Sequence, residues 1–370
     1  MKSKLAHKII IVLCGSLLPL FLYPSLDSIA AEQANIPLTK ATPESQGLNG
    51  STLEEARSKI INGDYGTINS LLITRNNYLV YEEYFSKYNR DFLHPVNSVT
   101  KSITSALVGI AIHQGKIKSV HTKLMDFFPD YPEVKNMDSR KNSINLENIL
   151  TMTSGFEWDE ISIPYTNPNN KIWELVNSAD SIKYVLDLPM SSSPGSFRYN
   201  SGCTILLGGI LENTCGRSVK AIAEDNLFEP LGITNYFWKT FPNGTTNTGW
   251  GLLMRPIDMA RFGILFLNNG IWQGKQIVPK EWSYKSTQEH TKMGRLQYAY
   301  GYQWWRFLDN DPTVGELSIN DIYFALGYGG QEIIVIPHLQ MVVVTTAENY
   351  RKMKHFNNLL YDYIFPSVIE

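Results

Sequence analysis

The sequence is poor in cysteine and carries almost no excess of charge. Of 370 residues only 3 are cysteines, and 35 acidic side chains nearly balance 33 basic ones, for a net charge of −2. That balance does not steer the chain toward nucleic acid or an anionic surface. Cys203 and Cys215 flank a predicted helix, roughly 18 Å apart at 1.5 Å per residue, whereas a disulfide needs Cα atoms within about 7 Å. We therefore expect two free, buried thiols, and neither has a histidine near it in sequence to suggest a cysteine nucleophile.

Internal repeats, low-complexity segments and metal-ligand spacings are also missing. The 7 histidines do not fall at the spacings of a zinc site, so we expect them to lie on the surface or pack, and we predict no metal and no other cofactor. The 43% hydrophobic and 18% charged residues are those of an ordinary globular protein with a large core. The length suggests one large domain or two intertwined ones.

The one long apolar run lies at the start of the chain. Three lysines precede an apolar stretch over about residues 9–26, and small residues follow. This order is typical of a secretory signal peptide cut near Ala30 or Ala31. We therefore expect residues 1–31 to be removed and residues 32–370 to be exported, to the periplasm or outside the cell, with no membrane attachment. The alternative, an uncleaved N-terminal anchor, has to accommodate two prolines within the run.

Strand signals lie at both ends of the chain, and helical signals lie between them. A hairpin is expected over residues 68–85, and four strands are expected between residues 303 and 346. The middle is mostly helical, with one helix expected over about residues 173–188. The economical architecture is an α+β fold. In it, one antiparallel sheet built from both chain ends is flanked by helices, and an all-α region of about residues 117–250 is inserted.

Residues 97–102, Asn-Ser-Val-Thr-Lys-Ser, open a long apolar helix just after Pro95. Ser98 and Lys101 are three apart, so both lie on one helix face with Cβ atoms about 5–6 Å apart. A serine alcohol is a poor nucleophile until a base takes its proton, and a desolvated, neutral lysine can be that base. The first turn adds backbone N–H groups and a helix dipole that favour developing negative charge. The alternative is a plain helix cap with Lys101 in solvent.

Tyr199 stands at a junction between a turn and a helix. It follows the turn at residues 191–195 and precedes the helix that begins near Cys203. If its phenol lies near Lys101, it can relay a proton or share one with the amine. The alternative is a buried tyrosine whose hydroxyl is merely hydrogen-bonded.

A glycine-rich stretch, residues 327–331, leads into a predicted strand. Glycines there let a ligand approach the backbone. The backbone N–H groups of Ser98 and Gln331 are then candidates to bind the oxyanion of an acyl transfer together. The alternative is a glycine-rich turn or bulge with no ligand.

These three segments, in this order, resemble the penicillin-recognising serine hydrolases, a group of class C β-lactamases, D,D-peptidases and their esterase and amidase relatives. Within that group the chain is most similar to the 6-aminohexanoate-dimer hydrolase-like branch, over roughly residues 40–365. The family motif Ser-x-x-Lys corresponds to Ser98 and Lys101. The motif Tyr-x-Asn corresponds to Tyr199-Asn200-Ser201 and matches only at the tyrosine. The motif Lys-Thr-Gly corresponds to Tyr328-Gly329-Gly330. Two supporting stretches are residues 150–155 and 249–252.

The resemblance implies a β-lactamase/D,D-peptidase-like fold and an acyl-enzyme mechanism. Ser98 would attack a carbonyl, Lys101 with Tyr199 would remove its proton, and the N–H groups of Ser98 and Gln331 would hold the oxyanion. The leaving amine or alcohol would take its proton through Tyr199, and water would release the acyl group. Which of Lys101 and Tyr199 is the base stays open, as it does for other Ser-x-x-Lys enzymes.

Two departures from the family pattern bear on the substrate. Ser201 stands where the family has an asparagine, and Tyr328 stands where it has a lysine or histidine that would bind the carboxylate of a β-lactam. A neutral phenol offers only a weaker, uncharged hydrogen bond. We therefore expect a linear amide or carboxylic ester as substrate rather than a β-lactam, although Arg295 or Arg306 could restore a positive charge. The expected substrate-binding residues are Ser201, Tyr328, Gly329, Gly330 and Tyr165.

For two further features the sequence does not decide between a role in packing and a role in substrate binding. Tyr165 lies on a long loop, either as a surface residue or as part of a lid that closes over substrate. The aromatic residues between Tyr298 and Trp305 are expected to pack in the sheet, with alternating members as candidates for the rim of a cleft.

Other functions remain open on the sequence alone. A β-lactamase or D,D-peptidase acting on peptidoglycan-type substrates is one alternative. A non-catalytic homologue that binds cell-wall fragments or another protein is a second, and the altered positions Ser201 and Tyr328 keep it open. A membrane-anchored scaffold rests only on residues 1–31. The expected partner is a small amide or ester, with no nucleic acid and no membrane.

Overall fold

The computed structural model describes residues 38–292, 298–308, 319–350 and 357–369, and their largest element is an eight-stranded antiparallel sheet. The described strands, in chain order, are β1 (Ile68–Arg75), β2 (Tyr78–Tyr84), β3 (His94–Pro95), β4 (Tyr236–Trp238), β5 (Leu252–Met254), β6 (Ile271–Trp272), β7 (Lys275–Gln276), β8 (Thr291–Lys292), β9 (Tyr298–Tyr300), β10 (Trp305–Phe307), β11 (Tyr323–Gly327), β12 (Gln331–Ile336) and β13 (Met341–Ala347). The large sheet has the order β2-β1-β13-β12-β11-β10-β9-β8.

Both chain ends contribute to this sheet, as the sequence predicts. Strands β1 and β2 form a hairpin whose turn residues Asn76 and Asn77 have φ of 52° and 66°, the left-handed conformation that two-residue hairpin turns require. Strand β1 then pairs antiparallel with β13, with Leu72 opposite Val344. The α+β class with one antiparallel sheet made from both termini is confirmed.

Helices cover both faces of the sheet. The described α-helices are α1 (Gly50–Ile61), α2 (Val99–His113), α3 (Ser139–Ser143), α4 (Leu146–Leu150), α5 (Lys171–Val176), α6 (Ser181–Leu186), α7 (Ser201–Cys215), α8 (Val219–Ala223), α9 (Pro256–Leu267), α10 (Lys280–Ser286) and α11 (Asn357–Leu359). Short 3₁₀ turns lie at Glu44–Gln46, Leu124–Phe127, Pro337–Leu339 and Phe365–Ser367, and π-helical turns at Glu224–Phe228 and Leu360–Ile364. Within these described ranges, no helix has the length and apolar character needed to cross a bilayer.

The sheet separates two hydrophobic cores. Successive strand residues point to opposite faces, so Ile333 and Val344 join the larger core with α2 and α9, while Ile334 and Val343 join the smaller core with α1. The larger core also takes in the helices of the middle of the chain. Helix α2 is therefore buried between the sheet and those helices, which places its first turn at their junction.

Residues 117–250 lie outside the large sheet and carry helices α3 to α8. The single helix expected over residues 173–188 is wrong, because two short helices, α5 and α6, replace it. The break is explained by capping: the Asp180 side chain accepts hydrogen bonds from the backbone N–H groups of Ile182 and Lys183 and so starts a new helix.

A small three-stranded sheet, β3-β5-β4, ties the segment before α2 to the segment after residue 250. His94 pairs with Met254 and Pro95 with Leu253, and the Val96 N–H donates to the Leu252 carbonyl at 3.0 Å. This pairing brings the start of α2 beside residues 249–252, the stretch that the family resemblance marks.

Cys203 and Cys215 lie within the single helix α7, and both are free. Cys203 is buried, as predicted, and its thiol donates to the Ser154 Oγ at 3.4 Å. Cys215 is only partly buried. The rigid rise of the helix holds the two thiols too far apart to bridge.

Candidate active site

Ser98 sits at the N-terminus of α2 with its side chain free of the helix. Asn97, just before it, takes a left-handed φ of 49° and donates its Nδ2 to the Tyr328 carbonyl at 2.6 Å. Ser98 occupies the N-cap position, yet its side chain makes no capping hydrogen bond. The N–H groups of Val99, Thr100 and the next residue donate to the carbonyls of residues 96–98. The helix-cap alternative for the Ser98 hydroxyl is therefore wrong.

The same contacts correct one sequence expectation. The N–H groups of the first turn of α2 are engaged by preceding carbonyls, so they do not face a ligand. Within the described residues the backbone N–H of Ser98 itself has no protein acceptor. The Ser98 N–H thus remains a candidate donor to a substrate oxygen.

Lys101 is buried, with 1% of its surface exposed, and its amine touches the Ser98 hydroxyl. The Nζ donates to the Ser98 Oγ at 2.9 Å and to the Gly249 carbonyl at 2.7 Å. Burial lowers the pKa of Lys101 to about 8, against the opposing effect of the Glu160 carboxylate. The alternative of a solvated Lys101 is wrong. An amine with this pKa has an appreciable neutral fraction near pH 8 and can accept a proton from a serine.

The Gly249 carbonyl is held in place by a local turn that the sequence reasoning did not assign. The Asn247 Oδ1 accepts hydrogen bonds from the N–H groups of Gly249 at 3.2 Å and Trp250 at 3.1 Å. This turn aims the Gly249 carbonyl at the Lys101 amine. Asparagine often forms turns of this kind by accepting from backbone N–H groups two or three residues on. The sequence therefore allowed the turn, but it did not show that the turn directs a carbonyl at Lys101.

Tyr199 lies beside the Ser98–Lys101 pair, as predicted. The Lys101 Nζ is 5.1 Å from the centre of the Tyr199 ring, and the ring stacks on Trp305 at 5.7 Å between centroids. Burial and the Glu160 charge raise the pKa of Tyr199 well above its usual value, while its contact with Ser98 lowers it. The phenol is thus protonated at neutral pH and suited to donate a proton.

The turn at residues 151–155 positions the segment that carries Tyr199. The Thr153 carbonyl accepts from the Gly195 N–H at 2.9 Å, and the Met152 carbonyl accepts from the Arg198 N–H at 2.8 Å. After Tyr199, the Asn200 side chain caps α7 by accepting from the Gly202 N–H at 2.8 Å. The residues before and after Tyr199 are therefore both held by hydrogen bonds, which fixes its position in the chain.

Glu160 is a buried carboxylate that the sequence reasoning missed. Only 1% of its surface is exposed. Its Oε2 accepts from the Trp158 Nε1 at 2.7 Å and the Ser201 N–H at 2.8 Å, and its Oε1 accepts from the Ser201 Oγ at 2.7 Å and the Tyr165 hydroxyl at 2.9 Å. In the sequence Glu160 is one acid in a loop, with no spacing that separates it from a solvated one.

Residues 327–331 form a tight turn between β11 and β12. The Gly330 N–H donates to the Gly327 carbonyl at 3.2 Å, and Gly329 and Gly330 have φ of 94° and 95°, which L side chains rarely adopt. A Cβ on Gly329 would meet the Tyr350 ring at 2.5 Å. The turn alternative thus explains both glycines, and their contact with substrate stays a prediction.

Tyr328 and Gln331, at the two ends of this turn, are anchored differently. The Tyr328 hydroxyl donates to the Tyr350 carbonyl at 2.6 Å, and its ring lies 5.0 Å from that of Tyr165. The Gln331 side chain donates to the Ala347 carbonyl at 2.5 Å and accepts from the Ala347 N–H at 3.3 Å. Gln331 is thereby fixed, and the role of its N–H in an oxyanion hole stays a prediction.

A cavity of about 170 Å³ opens above Ser98. Its lining residues are Asn97, Ser98, Tyr165, Ile172, Trp173, Val176, Ser201, Trp250 and Tyr328. The structure thus brings Ser98, Ser201, Tyr165 and Tyr328 to one cavity, and their contact with substrate stays a prediction. Helix α5 adds a wall that the sequence reasoning missed. Tyr165 is partly buried in this wall rather than a free surface residue.

The basic group that the structure places beside this cavity is Lys101, which is bound to the Ser98 Oγ and the Gly249 carbonyl and does not line the cavity. None of the lining side chains is ionisable as a base or a carboxylate. Arg306 donates to the carbonyls of Thr287 and Asn320 and lines a different depression. It therefore does not supply the positive charge that the sequence left open for it. Arg295 lies outside the described residues.

The fold and the Ser98–Lys101–Tyr199 arrangement are similar to those of the penicillin-recognising serine hydrolase superfamily. Residues 68–359 match the family described as Beta-lactamase, and the chain belongs to that family. Members of this superfamily are serine hydrolases, and the resemblance to its 6-aminohexanoate-dimer hydrolase-like branch is confirmed.

Individual relatives are distant. The chain is 23% identical to a protein of Escherichia coli O157:H7 named "Putative D-alanyl-D-alanine carboxypeptidase", over 86% of this chain and 87% of that protein. It is 21% identical to a 6-aminohexanoate-dimer hydrolase of Paenarthrobacter ureafaciens, over 74% of this chain and 71% of that one. The solved structure of EstCE1, a hydrolase with promiscuous acyltransferase activity, superposes with a TM-score of 0.69 at 15% identity, covering 87% of this chain and 99% of that one.

Proposed function

We propose that this protein is an exported serine hydrolase that cleaves an amide or ester bond through an acyl-enzyme on Ser98. The observation that carries the proposal is the 2.9 Å contact between the Lys101 Nζ and the Ser98 Oγ, with Lys101 buried and its pKa lowered to about 8. Desolvation of the charged amine favours its neutral form, and the contact with the Ser98 hydroxyl supplies the proton that a neutral amine can accept.

The chemistry follows from that contact. The neutral amine of Lys101 takes the Ser98 proton as the Oγ attacks the substrate carbonyl carbon. The N–H groups of Ser98 and Gln331 receive the oxyanion. The tetrahedral intermediate collapses, and the leaving alcohol or amine takes a proton from Lys101 through the Tyr199 phenol. Water then attacks the acyl-enzyme by the same proton route, releasing a carboxylic acid and restoring Ser98.

The cavity supports a neutral substrate, a linear amide or carboxylic ester rather than a β-lactam. Tyr328 stands where the family has a cation, and its hydroxyl is already bound to the Tyr350 carbonyl. Neither this position nor the rest of the lining offers an ion pair to a carboxylate. The relatives named for D-alanine carboxypeptidase and aminohexanoate-dimer hydrolysis both suggest amide cleavage, and EstCE1 suggests acyl transfer.

A second candidate is a non-catalytic homologue that binds cell-wall fragments. The changed positions Ser201 and Tyr328 favour it. The complete Ser98, Lys101 and Tyr199 set argues against it, because a binding protein does not require a buried lysine against a serine hydroxyl.

The proposal of export rests on residues 1–31. The N-terminus of the protein purified from its own host, read by mass spectrometry, tests it. A start near residue 31 or 32 is expected. An intact start at residue 1 on membrane-bound protein would support the anchor instead.

The decisive experiment compares wild-type protein with Ser98→Ala in p-nitrophenyl ester hydrolysis and in labelling by a fluorophosphonate, with the labelled residue located by peptide mass spectrometry. Ser105→Ala is the matched control: Ser105 lies on the same helix, and its buried Oγ has no hydrogen-bond partner among the described residues. Turnover and a label on Ser98 are expected, both lost in Ser98→Ala and kept in Ser105→Ala. Labelling at another residue, or no turnover by any variant, would refute the proposal.

A further inference from the structure

The wall that α5 adds to the cavity points to the class of substrate. We propose that the site binds an uncharged, apolar acyl group of medium length, seated against Ile172, Trp173 and Val176. This inference rests on the proposed function, and it adds the acyl specificity that the motifs leave open.

The wall is apolar on the side that faces Ser98. Helix α5 places Ile172 and Val176 four residues apart, on one face, and Trp173 at the rim. Ile172 is buried, whereas 40% of the Trp173 surface is exposed at the mouth. The Trp250 ring lines the cavity with them. An acyl chain entering here removes apolar surface from water, which raises the specificity constant about fourfold for each CH₂ buried.

The wall is preformed. The Trp173 Nε1 donates to the Tyr165 carbonyl at 2.9 Å, and the Tyr165 hydroxyl donates to the Glu160 carboxylate at 2.9 Å. The Asn170 side chain closes the same loop by donating to the Ile163 carbonyl at 2.6 Å while it caps α5. A site that is already ordered does not lose affinity to ordering of its own side chains.

The volume of the cavity and the charge of its lining limit which acyl groups can bind. The cavity holds about 170 Å³, and an engineered apolar cavity of about 150 Å³ in another protein accepts benzene, so we expect room for about six carbon atoms. The lining carries no charged side chain, and the Glu160 carboxylate lies directly behind Tyr165 and Ser201. An acyl group whose far end is a carboxylate would lose its hydration there without gaining a cation from the lining.

The geometry assigns the cavity to the acyl side of the scissile bond. Ser98, which keeps the acyl group after the first step, lines the cavity. Lys101 and Tyr199, which return the proton to the leaving group, do not line it. An acyl group held on the Ser98 Oγ is thus in contact with this cavity.

The experiment uses residues 32–370 and measures kcat/KM for p-nitrophenyl acetate, butyrate, hexanoate, octanoate and dodecanoate. We expect a rise of at least tenfold from acetate to hexanoate and a fall beyond octanoate. The mono-p-nitrophenyl ester of adipic acid, which matches hexanoate in length but ends in a carboxylate, is expected to react at least tenfold more slowly than hexanoate.

Two variants test the wall itself. Val176→Trp fills the cavity, so the ratio of hexanoate to acetate kcat/KM is expected to fall at least tenfold. Trp173→Ala opens the rim and is expected to move the optimum to longer chains, which keeps the inference testable if Val176→Trp does not fold. The matched control is Ile161→Trp, in the loop that precedes α5, where Ile161 is 64% exposed and outside the lining. It is expected to leave the chain-length profile unchanged.

The outcomes separate the two proposals. A flat chain-length profile, equal reaction of the adipate ester, or a preference that follows the alcohol in a series of alkyl acetates would overturn the acyl assignment while ester turnover at Ser98 stands. No turnover of any ester and no fluorophosphonate label on Ser98 would refute the proposed function, and the acyl assignment with it.

Discussion

Ser201 gives both of its hydrogen-bond donors to one buried carboxylate: its N–H and its Oγ lie 2.8 Å and 2.7 Å from the oxygens of Glu160. Ser201 is the residue that stands where the family has an asparagine. Its hydroxyl is therefore turned toward Glu160 rather than presented to the substrate, although the residue lines the cavity. The substitution and the buried acid form one unit, and the donors around Glu160 explain how a carboxylate without an ion pair is tolerated there.

Ser201→Ala should lower the free energy of unfolding and have little effect on the rate of the reaction. It removes one donor from a buried charged acceptor, which costs about 1–3 kcal/mol of the free energy of unfolding. Urea unfolding measures this, with Ser58→Ala as control, because the Ser58 hydroxyl only bonds the Glu54 carbonyl on an exposed face of α1. An unchanged stability of Ser201→Ala would show that the bond to Glu160 contributes nothing.

The pH dependence of kcat/KM should report the buried lysine. Lys101 acts when neutral, so activity should rise with pH and level off above its pKa of about 8. Among the described residues, the titratable groups set against Lys101 are Glu160 and Tyr199. Because the Tyr199 pKa is raised further still, the lower limb belongs to Lys101. A lower limb near pH 4 to 5 would instead indicate a carboxylate base.

Glu160→Gln should shift the rising, low-pH part of the kcat/KM profile to lower pH. The negative charge of Glu160 favours the protonated lysine, so its removal lowers the Lys101 pKa further. The amide preserves the network, since its oxygen can accept from Trp158 and the Ser201 N–H while its NH₂ donates to the Tyr165 and Ser201 hydroxyls. Glu157→Gln, on the exposed surface of the same loop, is the control. A limb that stays in place would show that Glu160 acts on structure alone.

Tyr199→Phe should lower kcat by about 10²–10⁴, the usual contribution of a general acid–base group, with little loss of stability. The ring keeps its stack on Trp305, so the change isolates the phenol hydroxyl. Tyr184→Phe serves as control because its hydroxyl also meets a carboxylate, Glu174, but away from the cavity. A change of less than about threefold in Tyr199→Phe would remove the phenol from the proton route.

Tyr328→Lys should create a response to penicillins that the wild-type protein lacks. A cation at this position can pair with the carboxylate of a β-lactam. Intact mass after incubation with benzylpenicillin is expected to show no stable adduct for the wild type and an adduct on Ser98 for the variant. Tyr328→Phe, which also loses the bond to the Tyr350 carbonyl but stays neutral, separates charge from disruption. A lasting adduct on the wild type would show that the phenol does not exclude β-lactams.

Much of the fold was predictable because its signals are local. The asparagine pair that turns the β1–β2 hairpin and the apolar runs of β12 and β13 identify their own elements. The break between α5 and α6 was missed because Asp180 starts a helix inside a stretch whose apolar spacing continues, and spacing alone does not mark a new N-cap.

Within the site, local spacing was enough to predict which side chains share one helix turn. Ser98 and Lys101 are neighbours because residues three apart share a face of a helix, and the spacing required no tertiary information. Tyr199 was assigned by its place in the family pattern.

The groups that surround Ser98 and Lys101 follow from the packing of segments that are distant in sequence. The Gly249 carbonyl, the Glu160 carboxylate and the α5 wall reach Ser98 and Lys101 from 60 to 150 residues away in the chain, and no periodicity encodes such a distance. Burial then fixes the chemistry: the amine of Lys101 loses its water and its usual pKa because the sheet and the helices enclose it. The sequence therefore supplies the reacting groups, and the packing of distant segments sets their charge and the shape of what they can bind.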